Sequence, residues 1–327
     1  MKAIYIKEFG GAENLEFREV PDPPAPGAGQ VLIRVRAAGL NRADIMQRLG
    51  KYPPPPGFSP NIPGLEFAGE IEAIGDDVRD RKKGDRVFGI TSGEAQAEYL
   101  LVEESLAALI PDNLSFTEAA AVPEVFITAH DAVFTQCGLK AGEWLLIHAV
   151  GSGVGLAGLQ LAKANGAKVI GTSRTADKLD RCSDLGLDVP LLTVEPIFAD
   201  AVMDDTDRAG ANIILDLVGG PYFPESLNAL AVKGRMILVG LTAGRSANFE
   251  LGKALFKRAT IIGTVLRGRS TEEKAAAVQK FVDEVIPLLA SGAVKPNVDR
   301  VFPAAEVAEA HRYLESNESF GKIILEF

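Results

Sequence analysis

The stretch Trp144-Leu-Leu-Ile-His-Ala-Val-Gly-Ser-Gly-Val-Gly-Leu-Ala-Gly-Leu-Gln-Leu-Ala-Lys163 constrains this chain more than any other segment. An apolar run, a glycine turn and a second, helix-forming apolar run predict a buried strand, a tight turn and a helix whose free amides can hold a phosphate. That is the opening of a dinucleotide-binding βαβ unit. The turn departs from G-x-G-x-x-G, because Leu156 stands where the last glycine should fall; read from Ala149 it is A-x-x-S-x-x-G, with Ala149, Ser152 and Gly155. Small residues there let the backbone approach a pyrophosphate, while Gly155 and Gly158 let the helix lie close on the sheet. Ala149, Ser152, Gly153, Val154 and Gly155 are therefore the candidate phosphate contacts. The competing reading is a purely structural turn; the ordered succession of strand, turn, helix and second strand favours the nucleotide.

Which nucleotide is bound should be decided at the end of that second strand, about 20 residues after the turn, where NAD-binding units place an acid on the ribose 2′-hydroxyl. This chain offers Ser173, Arg174 and then Lys178. A carboxylate would repel a 2′-phosphate, whereas a hydroxyl and two cations would hold one through charge-assisted hydrogen bonds. NADPH is the expected cofactor. Asp177 and Asp180 lie nearby and pull against that inference, and the alternative is that Arg174 and Lys178 are ordinary solvated cations around a helix start.

With 327 residues the expectation is two domains, and 47% apolar residues suffice for packed cores. No apolar stretch is long enough to span a bilayer, and the first residues alternate like a strand, not a signal peptide, so a cytoplasmic protein is expected. The two cysteines, Cys137 and Cys182, form no metal or disulfide spacing. A net charge of −10 disfavours sequence-independent nucleic-acid binding. The run Arg81-Lys-Lys83 sits among Asp76, Asp77, Asp80 and Asp85 and reads as a solvated turn.

The first third is β-rich. Val31, Ile33 and Val35 alternate onto one face, and 67–74 behaves similarly before the Gly75-Asp76 turn. Prolines clustered at 21–26 and 53–56 break up any long helix. From Trp144 the texture becomes alternating: strands near 144–148, 168–172, 212–218 and 235–240, helices near 154–165 and 176–185. This predicts a parallel sheet with helices on both faces. In the last third, Ser270-Thr-Glu-Glu273 is a capping box opening a helix with Val278, Val282, Val285 and Leu289 on one stripe, ended by Ser291-Gly292. Pro303 is expected to start another helix carrying His311, and 322–325 to be a closing strand. The simplest architecture inserts a nucleotide domain into a β-rich domain built from both chain ends.

Over essentially its whole length the sequence resembles the medium-chain dehydrogenase/reductases, in their zinc-free quinone oxidoreductase branch. The residues that carry the resemblance are Asn41-Arg-Ala-Asp-Ile-Met-Gln-Arg48, Tyr52-Pro-Pro-Pro-Pro-Gly57, Gly64-Leu-Glu-Phe-Ala-Gly69 and Lys83-Gly-Asp-Arg-Val87. Ile147-His-Ala-Val-Gly-Ser-Gly-Val-Gly155, Asp216-Leu-Val-Gly-Gly220 and Leu255-Phe-Lys-Arg258 complete the set. The resemblance implies an α/β fold: a doubly wound parallel Rossmann sheet over 123–265, inserted into a β-rich GroES-like catalytic domain made of 1–122 and 266–327.

Zinc-binding members of the family carry a ligand histidine where Leu65 stands and a cysteine near Asn41, so neither ligand exists here. Catalytic zinc needs three protein ligands and structural zinc commonly four cysteines; two cysteines and the scattered His130, His148 and His311 do not supply them. Without a Lewis acid to polarise an alcohol, zinc-type alcohol dehydrogenation is disfavoured. What remains is hydride donation to an acceptor that is already electrophilic, a quinone or a conjugated carbonyl, needing orientation and hydrogen bonding to the developing oxyanion.

The resemblance also assigns roles. Tyr52 lies beside the cleft, where a phenol donates to a carbonyl oxygen or packs against a planar ring; otherwise it is an aromatic in a proline loop. Asn41 reaches the ribose or nicotinamide end of the cofactor, and Asp44 is either catalytic or a helix cap. Ser152 contacts the pyrophosphate or fills the turn. Thr128 lies near the nicotinamide, with a packed β-branched residue as the alternative. Val218 and Gly219 end one parallel strand, Gly240 and Leu241 another, so both pairs should rim the crevice, or serve plain turns. Leu266 lies on the path back to the first domain. Relatives often place an Asn-Tyr pair after the third strand to assist the 2′-phosphate; here the chain reads Val189-Pro-Leu-Leu-Thr-Val-Glu195, so phosphate recognition is either weaker or rests on Arg174.

The expected function is an NADPH-dependent quinone oxidoreductase, with enone or enoyl-thioester reduction as the alternative and a cofactor-binding sensor, crystallin-like or RNA-binding protein as the non-enzymatic class. No membrane and no nucleic-acid partner is expected. The strand-forming segments 236–239 and 260–265 could extend a sheet between subunits, so a homodimer is expected, burial within a monomer being the other explanation.

Overall fold

The apolar runs of the middle third pair as six parallel strands, in the spatial order Val189–Leu192, Lys168–Ser173, Trp144–Ile147, Ala211–Asp216, Leu230–Leu238, Thr260–Gly263. In chain order this is 3-2-1-4-5-6. The order reverses between the first and fourth strands, where the connections leave in opposite directions and open a crevice at the strands' carboxyl ends. Leu145, Leu146, Ile147, Ile213, Ile214 and Leu215 are fully buried in unbroken runs, as a sheet covered on both faces requires. The helix Gly153–Ala164 lies so close to the sheet that a Cβ on Gly158 would sit 3.2 Å from the Leu215 side chain. Val189–Leu192, read as following the third strand, is itself that strand; Thr193 then turns, its amide donating to the Ser173 carbonyl at 2.8 Å.

Both chain ends contribute to a seven-stranded sheet ordered Val298–Pro303, Lys322–Glu326, Gln30–Gly39, Glu66–Ile74, Arg86–Ile90, Ala107–Leu109, with Tyr99–Glu103 also paired to Gln30–Gly39. Val31, Ile33 and Val35 point into its core beside Phe67, Ile71 and Val87. The closing strand runs antiparallel to Gln30–Gly39, which fixes the last residues of the chain against the first third.

Residues 1–327 are described by this structure, a computed structural model, and they divide into two units. The first comprises Met1–Ile127, Leu266–Gly292 and Pro296–Phe327; the second Thr128–Val265 and Ala293–Lys295. No helix is long and apolar enough to cross a membrane.

Ser270 caps the helix Thr271–Glu284 as its spacing predicts, its hydroxyl accepting from Glu273 N at 3.2 Å while Glu273 Oε2 accepts from Ser270 N at 2.9 Å. Two details differ from expectation. The apolar stripe is divided at Val285 into Thr271–Glu284 and Ile286–Ala290, because Pro287 has no amide to continue the ladder. Pro303 ends a strand instead of starting a helix: its ψ of 144° is extended, and the helix carrying His311 begins at Val307 after a short turn.

Candidate functional site

In the second unit the strand Trp144–Ile147 ends at His148, and the chain reverses through Ala149, whose φ of 51° is left-handed. Ser152 then caps the helix, its Oγ accepting from Gly155 N at 3.2 Å. The amides of Gly153 and Val154 are the first two of the helix and have no intrahelical acceptor, so they are the donors left for an anion. A Cβ on Gly155 would lie 2.6 Å from the carbonyl oxygens of Ala149 and Val150, so only glycine fits this turn. Ser152 thus serves as the cap, with its hydroxyl proton still available.

Ser173, buried at the end of its strand, accepts from Thr175 N at 3.2 Å and is tied to its own turn. Arg174 is exposed, and Lys178 is half-buried in the first turn of the helix Ala176–Ser183. At the end of the strand Ala211–Asp216, Asp216 Oδ1 accepts from both Val218 N and Gly219 N at 2.8 Å. Gly219 has a left-handed φ of 65°, and a Cβ on Gly240 would approach the Leu217 carbonyl to 2.6 Å. Gly219 and Leu241, with Arg245 and Phe249, line a cavity of about 170 Å³. Beneath the turn, His148 is enclosed between Thr172 Oγ1 (3.0 Å) and Ser226 Oγ (2.8 Å), and burial lowers its pKa to about 4. It is a packed neutral histidine. Thr128, half-buried on the helix Pro123–His130, begins this unit.

In the first unit a polar network surrounds Asn41. Its Nδ2 donates to Glu66 Oε1 at 2.8 Å and its Oδ1 accepts from Lys322 Nζ at 2.7 Å. Glu66 Oε2 accepts from Glu124 N at 2.8 Å. Asp44 is buried, one oxygen accepting from Asn41 N at 2.8 Å and the other from Gly64 N at 3.1 Å. Burial raises its pKa to about 6 despite those two amides. Each oxygen accepts from a backbone amide, and the bond from Asn41 N is the one a helix-capping role for Asp44 requires. Asn41 likewise has its amide engaged inside the unit.

Tyr52 is held by Arg267, which donates from Nη1 to the Tyr52 carbonyl at 3.0 Å and places its guanidinium 5.0 Å from the ring centroid. Arg267 also donates to Ser92 O at 2.8 Å and to Gln47 Oε1. Burial raises the Tyr52 phenol, keeping it a donor, and its hydroxyl has no protein acceptor. Glu124, half-buried, has its pKa pushed up to about 8 by burial and by Glu66. Leu266 is buried beside Arg267 in the chain. Sequence reasoning missed Arg267, Glu124, Glu66 and Lys322. The available signal was a charge inside an apolar run, as in Leu65-Glu-Phe67 and Lys322-Ile-Ile-Leu325. No group of three or more His, Cys, Asp or Glu side chains is placed to hold a metal ion.

Two family models match: an alcohol dehydrogenase GroES-like domain over residues 27–129 and a zinc-binding dehydrogenase over 153–283. The rat protein named quinone oxidoreductase is 33% identical over 327 residues, covering 99% of this chain and 97% of its own. The solved structure of an Escherichia coli quinone oxidoreductase complexed with NADPH superposes with a TM-score of 0.90 at 29% identity, covering 100% of both chains. That of the CurK enoyl reductase gives 0.87 at 25%, covering 99% of this chain and 98% of that one. With its Rossmann sheet and GroES-like β unit, this chain belongs to the medium-chain dehydrogenase/reductase family, alongside quinone oxidoreductases related to it from end to end.

Proposed function

We propose that the chain is an NADPH-dependent quinone reductase that works without a metal ion. The observation that carries the reading is the turn at Ala149–Gly155, with the unpaired Gly153 and Val154 amides on one side and the Arg174 cation at the next strand end. The dinucleotide supplies the hydride. Around it, Gly153 and Val154 would hold the pyrophosphate and Arg174 with Lys178 the 2′-phosphate. Val218, Gly219, Gly240 and Leu241 would bound the crevice, and Thr128 and Leu266 its nicotinamide end. Tyr52, pinned by Arg267, would donate its phenolic proton to the acceptor oxygen, a developing oxyanion that a positioned donor stabilises. Asn41 would accept from a ribose hydroxyl through the Oδ1 lone pair that Lys322 leaves free, and Asp44 would hold the Asn41 helix rather than react.

The rat relative's name supports a quinone acceptor. The similarity to CurK favours a second reading, reduction of a conjugated enone or enoyl thioester. A steady-state panel separates them: turnover of 1,4-benzoquinone and not of 2-cyclohexenone supports the first, the reverse pattern the second. Oxidation of bound NADPH by neither would leave a cofactor-binding protein.

The protein is further proposed to act in the cytoplasm as a homodimer. The strand Thr260–Gly263 is an edge with a single neighbour, and the helix Leu251–Lys257 buries none of its residues, leaving Leu255 and Phe256 71% and 81% exposed. An unpaired edge beside bare apolar side chains is the arrangement that sheet extension across a two-fold axis would cover.

A further inference from the structure

Lys274, on the first turn of the helix Thr271–Glu284, is 94% buried by its 6% exposure, yet no carboxylate pairs with it. Its ammonium donates to a single neutral group, the Ser92 hydroxyl. That hydroxyl spends its own proton on the Arg267 carbonyl at 3.0 Å, and Arg267 Nε in turn donates to Ser92 O at 2.8 Å. Two buried cations therefore clasp the same residue through neutral atoms. An ammonium has three donors, and two of those on Lys274 are unspent. Glu124 acts on it only from beyond ion-pair distance; burying a cation without a direct counter-ion is costly, and a bound anion would offset that cost.

Lys274 lines a cavity of about 240 Å³ inside the first unit, together with Thr91, Ser92, Phe58, Leu101 and Leu106. The exposed Thr271 and the half-buried Gln30 and Glu103 also line it. Glu103 is engaged by Gln30, Oε1 accepting from Gln30 Nε2 at 3.0 Å, and it makes no ion pair with Lys274. The Thr91 hydroxyl is turned to the Gly93 carbonyl at 3.0 Å. The free polarity beside Ser92 is thus the Lys274 cation, and Phe58, Leu101, Val102 and Leu106 supply an apolar, partly aromatic stretch of a lining that is otherwise polar. An apolar cavity of about 150 Å³ accepts benzene, so this one has room for a single ring bearing a small charged group.

We propose that this cavity is a binding site for a compact aromatic carboxylate, its carboxylate on Lys274 and its ring between Phe58, Leu101 and Leu106. The site uses none of the residues assigned to the dinucleotide and does not rest on the hydride-transfer reading. Through Ser92 and Arg267 it is linked by hydrogen bonds to the Tyr52 carbonyl, so occupancy bears on the loop that carries the phenol.

Calorimetric titration of the full chain with benzoate, and with benzamide as the neutral isostere, tests this directly. Benzoate should bind saturably and benzamide at least about tenfold more weakly, the share of a charge-assisted hydrogen bond. Lys274→Met should lower benzoate affinity by a similar factor while leaving NADPH affinity unchanged. If Lys274→Met does not fold, Leu101→Trp, which fills the cavity and keeps the charge, should abolish benzoate binding. Benzoate and benzamide binding equally, or benzoate binding undiminished in either variant, overturns the proposal, as does no benzoate binding to the native chain at millimolar concentration. Failure of quinone turnover, by contrast, would leave these outcomes untouched.

Discussion

The ammonium of Lys322 lies 2.6 Å from Oε1 of Glu66, with both side chains almost wholly removed from solvent. The same ammonium reaches the Leu40 carbonyl at 2.6 Å and Asn41 Oδ1 at 2.7 Å, so the last strand of the chain is locked to the segment that carries Asn41 and Asp44.

Removing one partner of a buried pair leaves the other charge uncompensated, at about 3–5 kcal/mol. Lys322→Met should therefore lower unfolding free energy by roughly that amount in urea denaturation. The double variant Lys322→Met/Glu66→Leu should recover much of the loss. An additive double variant would show that the two side chains do not act as a pair.

Arg174 is exposed at the end of the strand Lys168–Ser173, where a 2′-phosphate is expected. Arg174→Ala should raise the NADPH dissociation constant about tenfold, the value of one charge-assisted contact, and leave NADH unchanged. Equal effects on both, read by fluorescence titration, would remove Arg174 as the selector.

Glu124 carries a pKa of about 8 in the folded chain, above its unfolded value of 4.5, because burial and Glu66 disfavour the carboxylate. Between those values the native state keeps a proton that the unfolded state has released, so stability falls as pH rises through this window. Glu124→Gln should flatten that decline, measured as unfolding free energy at pH 5, 6.5 and 8. A slope identical to that of the native chain would contradict the shifted acid.

Phe256 stands bare on the helix Leu251–Lys257, next to the edge strand Thr260–Gly263. Phe256→Glu should convert a dimer to a monomer in sedimentation velocity with little change in melting temperature. A native chain that sediments as a monomer would dispose of the subunit interface.

Legibility in the sequence followed the range of the interactions. Strand, turn and helix at 144–164 are set by neighbours in the chain: apolar periodicity, left-handed or crowded small residues, and a serine cap. The capping box at Ser270 is equally local. Pro303 reads in the sequence as a first helical turn, yet proline's fixed φ serves a strand end as well, and only the pairing of Val298–Pro303 with Lys322–Glu326 decides. Asp44 and Asn41 were recognisable as polar residues of interest, yet their partners Gly64, Glu66 and Lys322 lie up to 281 positions away. Arg267, Glu124 and Lys274 escaped for the same reason: a charge in a mixed sequence looks solvated until folding buries it.

Metal-free hydride transfer to a quinone is measured by following NADPH absorbance at 340 nm on mixing with 1,4-benzoquinone, using protein exhaustively dialysed against EDTA. Oxidation should run well above the protein-free rate, undiminished by the chelator and much reduced in Tyr52→Phe. No acceleration over the protein-free rate, or an activity that is lost on chelation and restored by zinc, would contradict it.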